Sequence, residues 1–212
     1  MFRRLFKRLI GKTEKEGAEI VEKGRKVPLE IQLQHLSDLG ISLNDCVCID
    51  DILEQMDRNE IESAPYTGLL VALGSEVPVS ENEWTPLSNN IWYFDTECIE
   101  DNGIYVQIMQ RLMKMTQGKL KIINLKDYVD VEKEEAWIEF ELEKETVRWD
   151  LEVDNDWFDA NLLCKLNLLL KDMSSDKMYA VAVLDQTCLI GFFEEKQVKQ
   201  LNDITGLKFE TV

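Results

Sequence analysis

The sequence predicts an α+β fold, in which N-terminal helices are followed by a mainly antiparallel sheet packed against helices. Three observations predict this class. Apolar residues recur at helical spacing near the start of the globular region, at Leu29, Leu33 and Leu36. Two later segments, AWIEFEL and TVRWDLEV, alternate apolar and polar residues as half-buried strands do. These segments follow one another directly, and strands joined by a short connection pair antiparallel.

Helices dominate the first part of the predicted domain. The spacing predicts one helix that starts at Leu29 and stops at Gly40, a second over residues 49–56, and a third over residues 66–73 that closes at Gly74. The segment SEVPVSENEWTPLSNN predicts a loop, because it is rich in Pro, Ser and Asn. The apolar segment IWYFD that follows predicts a short buried strand.

The second part predicts alternating strands and helices. Residues 101–103 open a helix that Gly118 ends. Strands are then predicted for KLKIINL, AWIEFEL and TVRWDLEV, and a helix begins near Asp156. The chain closes with the strand pair KMYAVAVL and CLIGFF, the helix EEKQVKQLNDITG and the strand LKFETV.

The stretch VDNDWFDANLL, residues 153–163, marks the passage from a strand to a helix. Asn155 or Asp156 is predicted to cap this helix by accepting a backbone N–H, and Asp159 is predicted to complement the helix dipole in the first turn. The spacing of the acids lacks the glycine and the distal glutamate of a calcium loop. Trp157 is interpreted either as part of this turn or as an exposed contact for a partner.

Charge is distributed unevenly along the chain. The 212 residues include 24 Lys and Arg and 41 Asp and Glu, for a net charge of −17. Residues 1–26 carry 9 basic and 4 acidic side chains, or +5, so residues 27–212 carry 15 and 37, or −22. Nucleic acid is therefore not expected as a partner, since phosphate binding needs a basic face. This excess of acid is interpreted either as a means of solubility or as a source of electrostatic attraction to a basic protein partner.

The alternating strands predict an acidic sheet face, which is interpreted either as an ordinary solvated face or as a partner-binding surface. Glu139, Glu141 and Glu143 are predicted to share one face of one strand, and Arg148, Asp150 and Glu152 one face of the next. Carboxylates on neighbouring strands repel each other unless a cation or a partner lies between them. The predicted partner-binding residues are Glu139, Glu141, Glu143, Asp150, Glu152 and Trp157.

The N-terminal segment predicts a separate appendage. Residues 1–26 are interpreted as a basic amphipathic helix followed by a charged linker, and residues 27–212 as a single acidic α+β domain. The helix would either dock on the acidic body or lie on an anionic membrane surface, so a peripheral membrane or scaffold protein is the second functional hypothesis. The predicted membrane contacts are Phe2, Arg3, Arg4, Leu5, Phe6, Lys7 and Arg8.

Cysteine content and the N-terminal pattern predict a cytoplasmic protein. The five cysteines are an odd number and suit free thiols in a reducing compartment. The start of the chain, MFRRLFKRLIGK, lacks the continuous apolar segment of a secretory signal. The second hypothesis would place the protein at the inner face of the membrane.

The residues needed for the commonest catalytic and metal sites are scarce. His35 is the single histidine and Cys46 and Cys48 are the one close cysteine pair, so neither a structural zinc site nor a histidine-assisted nucleophile is predicted. No catalytic residue, metal or cofactor is predicted. A carboxylate-based, metal-dependent enzyme is the third hypothesis, because four acids that follow the strand IWYF could hold magnesium or act as acid and base. These acids are Asp95, Glu97, Glu100 and Asp101.

The C-terminal third resembles a known class of proteins. The segment DNDWFDANLLCKLNLLL, the strand pair after it and the ending GFFEEKQVKQLNDITGLKF resemble the C-terminal parts of bacterial immunity-type proteins, which are encoded beside secreted polymorphic toxins. The resemblance implies a small cytosolic protein that binds a toxin domain, often a basic nuclease, and blocks it. It assigns no role to an individual residue.

Overall fold

The computed structural model of the protein describes residues 26–81 and 83–212. The helices in these residues are α1 (Leu29–Asp38), α2 (Ile49–Gln55), α3 (Arg58–Ser63), α4 (Thr67–Gly74), α5 (Ile104–Met115), α6 (Asn161–Asp172) and α7 (Glu195–Thr205). The strands are β1 (Glu76–Ser80), β2 (Glu83–Pro86), β3 (Ile91–Asp95), β4 (Ile123–Asp130), β5 (Glu135–Leu142), β6 (Glu145–Leu151), β7 (Lys177–Leu184), β8 (Thr187–Glu194) and β9 (Glu210–Thr211). The α+β class predicted from the sequence is confirmed. The predicted helix of residues 1–10 and the linker up to residue 25 lie outside the described residues.

The region predicted as one domain, residues 27–212, contains two compact units. One unit is formed by residues 95–175, and the other by the described residues of 26–94 together with residues 176–212. The second unit is therefore made of two separate parts of the chain, and residues 95–175 lie between them in sequence. Each unit has its own sheet and helices.

The unit of residues 26–94 and 176–212 is built around a four-stranded sheet in the order β3-β8-β7-β9. β7 and β8 form an antiparallel hairpin, and β8 is buried along most of its length. The apolar sides of the helices pack on this sheet, so that Leu36, Leu69 and Leu73 belong to the same core as Ala180 and Leu189. The continuous apolar sequence of the two strands agrees with side chains that are buried on both faces, such as Ala182 and Leu189 on one face and Tyr179 and Phe192 on the other.

Close packing explains the glycine at the end of α4. A Cβ atom added at Gly74 would lie 2.4 Å from the backbone nitrogen of Tyr93 in β3. Only a residue without a side chain allows the helix to come this near to the strand. The sequence identified Gly74 correctly as the end of the helix, and the structure adds this packing reason.

Two elements of this unit differ from the sequence prediction. Residues 75–90, predicted as a loop, contain the antiparallel hairpin β1–β2, in which Val77 pairs with Thr85 and Pro78 with Trp84. A proline is tolerated there because both strands of a two-stranded sheet are edge strands. The short helix α3 was not predicted; it begins after Asp57, whose side chain accepts a hydrogen bond from the Asn59 N–H. Six residues are too few for a periodic pattern to stand out.

The unit of residues 95–175 combines a three-stranded antiparallel sheet, in the order β4-β5-β6, with α5 and α6. The Asp127 carboxylate on β4 accepts hydrogen bonds from the Gly103 N–H (2.7 Å) and the Val106 N–H (3.1 Å) and so caps the N-terminus of α5 from a neighbouring strand. β4 begins at Ile123, later than the predicted segment KLKIINL. The residues before it complete the turn after α5, where the Leu120 N–H donates to the Thr116 hydroxyl.

Helix α6 begins five residues later than predicted, and another residue caps it. Residues 154–157 form a turn in which Asn155 has a φ of 53°, and the residues after this turn are not yet helical. Helix α6 starts at Asn161, and the buried Asp159 carboxylate accepts hydrogen bonds from the backbone N–H groups of Asn161 (2.9 Å) and Glu152 (3.0 Å). The capping role predicted for Asn155 or Asp156 was therefore wrong. Asp159 has that role.

The turn between β5 and β6 supports a first prediction. Leu142 pairs with Glu145 across a two-residue loop, in which Glu143 and Lys144 have φ values of 52° and 73°. Asn-Gly is the preferred sequence where both loop residues have positive φ, because L side chains strain this backbone. The double substitution Glu143→Asn and Lys144→Gly should raise the free energy of unfolding by about 1 kcal/mol.

Urea denaturation of the wild type and of this variant measures the gain. The matched control places the same two residue types inside β6, as Glu145→Asn and Thr146→Gly, where glycine weakens a strand and stability should fall. Equal stability of the two double variants would contradict the turn assignment.

Candidate partner-binding surface

One face of the sheet β4-β5-β6 points away from the buried side chains and is the surface on which most of the predicted partner-binding residues lie. The opposite face carries Ala136, Ile138, Phe140 and Leu151, which are buried. We call the first one the outer sheet face. It is formed by Lys126, Tyr128, Asp130, Glu135, Trp137, Glu139, Glu141, Thr146, Arg148 and Asp150, which the strand register places side by side.

Aromatic and cationic groups stack at the centre of the outer sheet face. The rings of Tyr128 and Trp137, which pair across β4 and β5, lie 6.0 Å apart at an interplanar angle of 18°. The guanidinium carbon of Arg148 lies 4.2 Å from the centre of the Trp137 ring. This is a cation–π contact between neighbouring strands, and it holds the indole and the guanidinium in one arrangement.

Basic side chains of the chain itself reduce the repulsion predicted for this face. The register places Arg148 opposite Glu139, and the Lys126 Nζ lies 3.5 Å from a Glu139 carboxylate oxygen. Arg148 also lies 3.6 Å from the Asp150 carboxylate. The sequence required a cation or a partner between the carboxylates, and for Glu139 and Asp150 the protein provides the cation.

The Asp130 carboxylate, at one end of the outer sheet face, is bound by Lys133 in the turn after β4 and by Tyr128. It accepts hydrogen bonds from the Lys133 side chain, from the Lys133 N–H and from the Tyr128 hydroxyl. The hydrogen bond from the Lys133 side chain is the main reason why the pKa of Asp130 is lowered from its usual range. Asp130 therefore keeps its negative charge at this end of the sheet.

The predicted partner-binding residues are only partly brought together. Glu139, Glu141 and Asp150 lie on the outer sheet face, and the Asp150 side chain is 87% exposed. Glu143 does not lie on this face, because it occupies the positive-φ turn between β5 and β6. Glu152 is exposed but follows the last residue of β6, and its backbone N–H is held by Asp159.

Trp157 lies in the turn before α6 and not on the sheet. It forms isolated bridges with Glu97 and Asp154, and its side chain is half-buried. The neighbouring backbone is bound to residues 96–99, since the Ile99 N–H donates to the Asp156 carbonyl and the Phe158 N–H to the Thr96 carbonyl. Trp157 is therefore part of the turn, as one of the two interpretations predicted, and its role as a partner contact stays a prediction.

On each edge strand of this sheet, a side chain from another element forms a hydrogen bond with one backbone group. On β4 the Val129 N–H donates to the Asn102 side-chain oxygen at 2.7 Å. On β6 the Lys165 Nζ donates to the Asp150 carbonyl at 2.8 Å. Exposed edges invite pairing with another strand, and these contacts reduce that tendency. The outer sheet face is thus better suited to a partner than either edge.

The four acids of the enzyme hypothesis occupy the segment between β3 and α5. In the part of the chain that the structure describes, no group of three or more His, Cys, Asp or Glu side chains could hold a metal ion. The Asp95 carboxylate accepts a hydrogen bond from the Glu97 N–H. Burial, with added repulsion from Asp95, Asp156 and Glu100, raises the pKa of the Cys98 thiol to about 12. Cys98 is therefore protonated at neutral pH and is a poor nucleophile.

No family model, curated protein or solved structure matches this chain. Its function must therefore be inferred from its own residues. Across residues 26–81 and 83–212, no helix is long and apolar enough to cross a membrane. The predicted membrane contacts, Phe2 to Arg8, lie outside the described residues.

Two of the exposed apolar side chains lie on strands, and the sequence did not predict their exposure. Trp84 on β2 is 61% exposed and Ile123 at the start of β4 is 60% exposed. Trp84 lies in a segment that was predicted as a loop. Ile123 lies in a predicted strand whose sequence does not indicate which side chains point to solvent. The one sequence signal was Asn124, since asparagine tolerates the left-handed backbone that accompanies irregular strands.

Proposed function

We propose that this protein is a non-catalytic binding protein that binds a cationic protein partner through the outer sheet face. The observation that carries the proposal is the composition of this face, on which five of the ten residues are acidic and two are basic. A stacked tryptophan lies at its centre. Tryptophan and exposed carboxylates together suit a surface rich in arginine or lysine.

The charge of the whole molecule supports the same partner class. Residues 27–212 have a net charge of −22, which attracts a basic protein over a distance of about a Debye length, roughly 10 Å at 0.1 M salt. Such attraction speeds association and repels acidic proteins. The contact itself then depends on side chains that are already held in place, such as Trp137 between Tyr128 and Arg148.

A basic toxin domain, the partner that the resemblance to immunity-type proteins implies, has the required charge. In that case the protein would act in the cytoplasm as an immunity protein that covers the toxin domain. Its product would be a stable complex, with no chemical step.

Matched charge variants test the proposal. The variant Glu141→Lys with Asp150→Lys changes the outer sheet face, whereas Glu54→Lys with Asp203→Lys changes the net charge equally on α2 and α7 of the other unit. Full-length proteins are immobilised, and proteins retained from an extract of the source cells are identified by mass spectrometry. A retained basic protein is then purified and titrated calorimetrically at about 0.05 and 0.3 M salt.

The wild type and the α2/α7 variant should bind the same basic protein, and the outer-sheet-face variant should lose at least about tenfold in affinity. Binding should weaken as the salt concentration rises. A partner that is acidic or neutral, or equal losses in both variants, would contradict the proposal.

A further inference from the structure

A bulge at the start of β4 directs an apolar side chain toward solvent. The register between β4 and β5 shifts between Ile123 and Lys126, and Asn124 in this interval has a φ of 54°. Ile123, just before the shift, pairs with Glu141 on β5 and is 60% exposed. Bulges change the direction of a side chain and are common beside binding sites. Ile123 therefore offers apolar surface that a partner side chain could cover.

The carboxylate beside Ile123 lacks the partner that its neighbour on the same strand has. Glu139, two residues before Glu141 on the same face, lies 3.5 Å from the Lys126 Nζ. In the described part of the chain, no basic side chain forms an ion pair with Glu141. Its other cross-strand neighbour is Thr146, which is exposed and uncharged. On β5, Glu139 thus has a basic neighbour on the adjacent strand, whereas the half-buried Glu141 lies beside an exposed apolar side chain.

We propose that Ile123 and Glu141 form a subsite for a lysine or arginine side chain of the cationic partner. This inference rests on the proposed function and names the group that the outer sheet face recognises. Long basic side chains place their methylene groups on apolar surface while the charged head reaches a polar group. Ile123 provides the apolar surface and Glu141 the anion. Thr146, which pairs with Glu141 in the register, carries a hydroxyl that can accept a hydrogen bond.

Nuclear magnetic resonance tests the subsite in the full-length protein without a partner. Methyl groups of isoleucine and leucine are labelled with carbon-13, and the probes are N-acetyl-arginine amide and N-acetyl-lysine amide. The neutral control probe is N-acetyl-norleucine amide. The reference signal is the methyl group of Leu168, which is 63% exposed on α6.

The Ile123 methyl signal should shift in a saturable way with both basic probes and not with the neutral one. Glu141→Gln should weaken this response about fivefold, while Glu139→Gln, which removes the carboxylate bound to Lys126, should leave it within about twofold. Equal responses of Ile123 and Leu168, or equal effects of the two substitutions, would overturn the inference.

The two proposals can fail separately. If the Ile123 signal responds as expected but the retained partner is acidic or neutral, the site for a basic side chain stands and the proposed function fails. If a basic protein binds through the outer sheet face while Ile123 does not respond, the proposed function stands and the subsite is refuted.

Discussion

Replacing Gln32 with methionine should lower the free energy of unfolding by about 3 kcal/mol. The Gln32 side chain is completely buried in α1, and its amide contacts three backbone groups of other segments. Its nitrogen donates to the carbonyl groups of Val27 (2.7 Å) and Ile61 (3.1 Å), and its oxygen accepts from the Tyr66 N–H at 2.6 Å. Methionine keeps the volume but leaves these groups without a partner, and each unpaired buried group costs about 1–3 kcal/mol.

The Tyr66 backbone adds to the importance of this contact. Tyr66 has φ and ψ of 69° and −45°, and the Thr67 N–H donates to the Pro65 carbonyl across it. A γ-turn with a positive φ at its central residue is rare and strained, so other interactions must stabilise this backbone conformation. The Gln32 oxygen supplies one of these interactions, and the hydrogen bond between the Tyr66 hydroxyl and His35 Nδ1 supplies another.

Urea unfolding followed by circular dichroism measures the effect, and hydrogen exchange of the amides in α1 and α4 locates it. Gln34→Met on the same helix is the control, because Gln34 is exposed and its change should stay within about 0.5 kcal/mol of the wild type. Similar losses for the two substitutions would show that the amide network of Gln32 does not stabilise the fold.

Asp159→Ala should also destabilise the protein, by roughly 3 kcal/mol, through the start of α6. Asp159 is only 4% exposed, and its two carboxylate oxygens accept from two different backbone N–H groups, those of Asn161 and Glu152. Hydrogen bonds to an ionised group are stronger than neutral ones. The substitution removes the cap of the helix and also the link to the chain just after β6.

Asp156→Ala is the control that separates the observed cap from the one predicted by sequence. The Asp156 side chain is exposed and lies five residues before α6, so its loss should change stability by less than about 0.5 kcal/mol. Thermal and urea unfolding of both variants decide between the two residues. A larger loss for Asp156→Ala than for Asp159→Ala would restore the predicted cap and contradict the structure.

Most of the elements could be predicted because their signals are local. The apolar spacing of α1 and α5 and the alternation along β5 and β6 depend only on residues a few positions apart. The hairpin β1–β2 was missed because its prolines and serines resemble those of a loop. The start of α6 was misplaced because Asn155, Asp156 and Asp159 all have capping chemistry. Only the backbone conformation of Asn155 and the burial of Asp159 distinguish them.

The candidate surface could be predicted only in outline. Alternation placed Glu139 and Glu141 on one face and Asp150 on the corresponding face of the next strand, as the register shows. It also predicted Glu143 on that face, because the pattern does not mark the residue at which a strand turns. The aromatic stack and the position of Ile123 could not be predicted, since they depend on the pairing of β4 with β5 and on a bulge.

The sequence by itself determined the α+β class, the acidity of residues 27–212 and the strands that carry an exposed acidic face, because composition and periodicity are local properties of the chain. The tertiary structure alone decided which carboxylates are balanced and which face solvent. Lys126 on β4 lies opposite Glu139 on β5 and close to its carboxylate, whereas Glu141 on β5 lies opposite Ile123. Such pairs are separated by many residues in sequence, so their contact depends on the strand register, which only the folded backbone establishes.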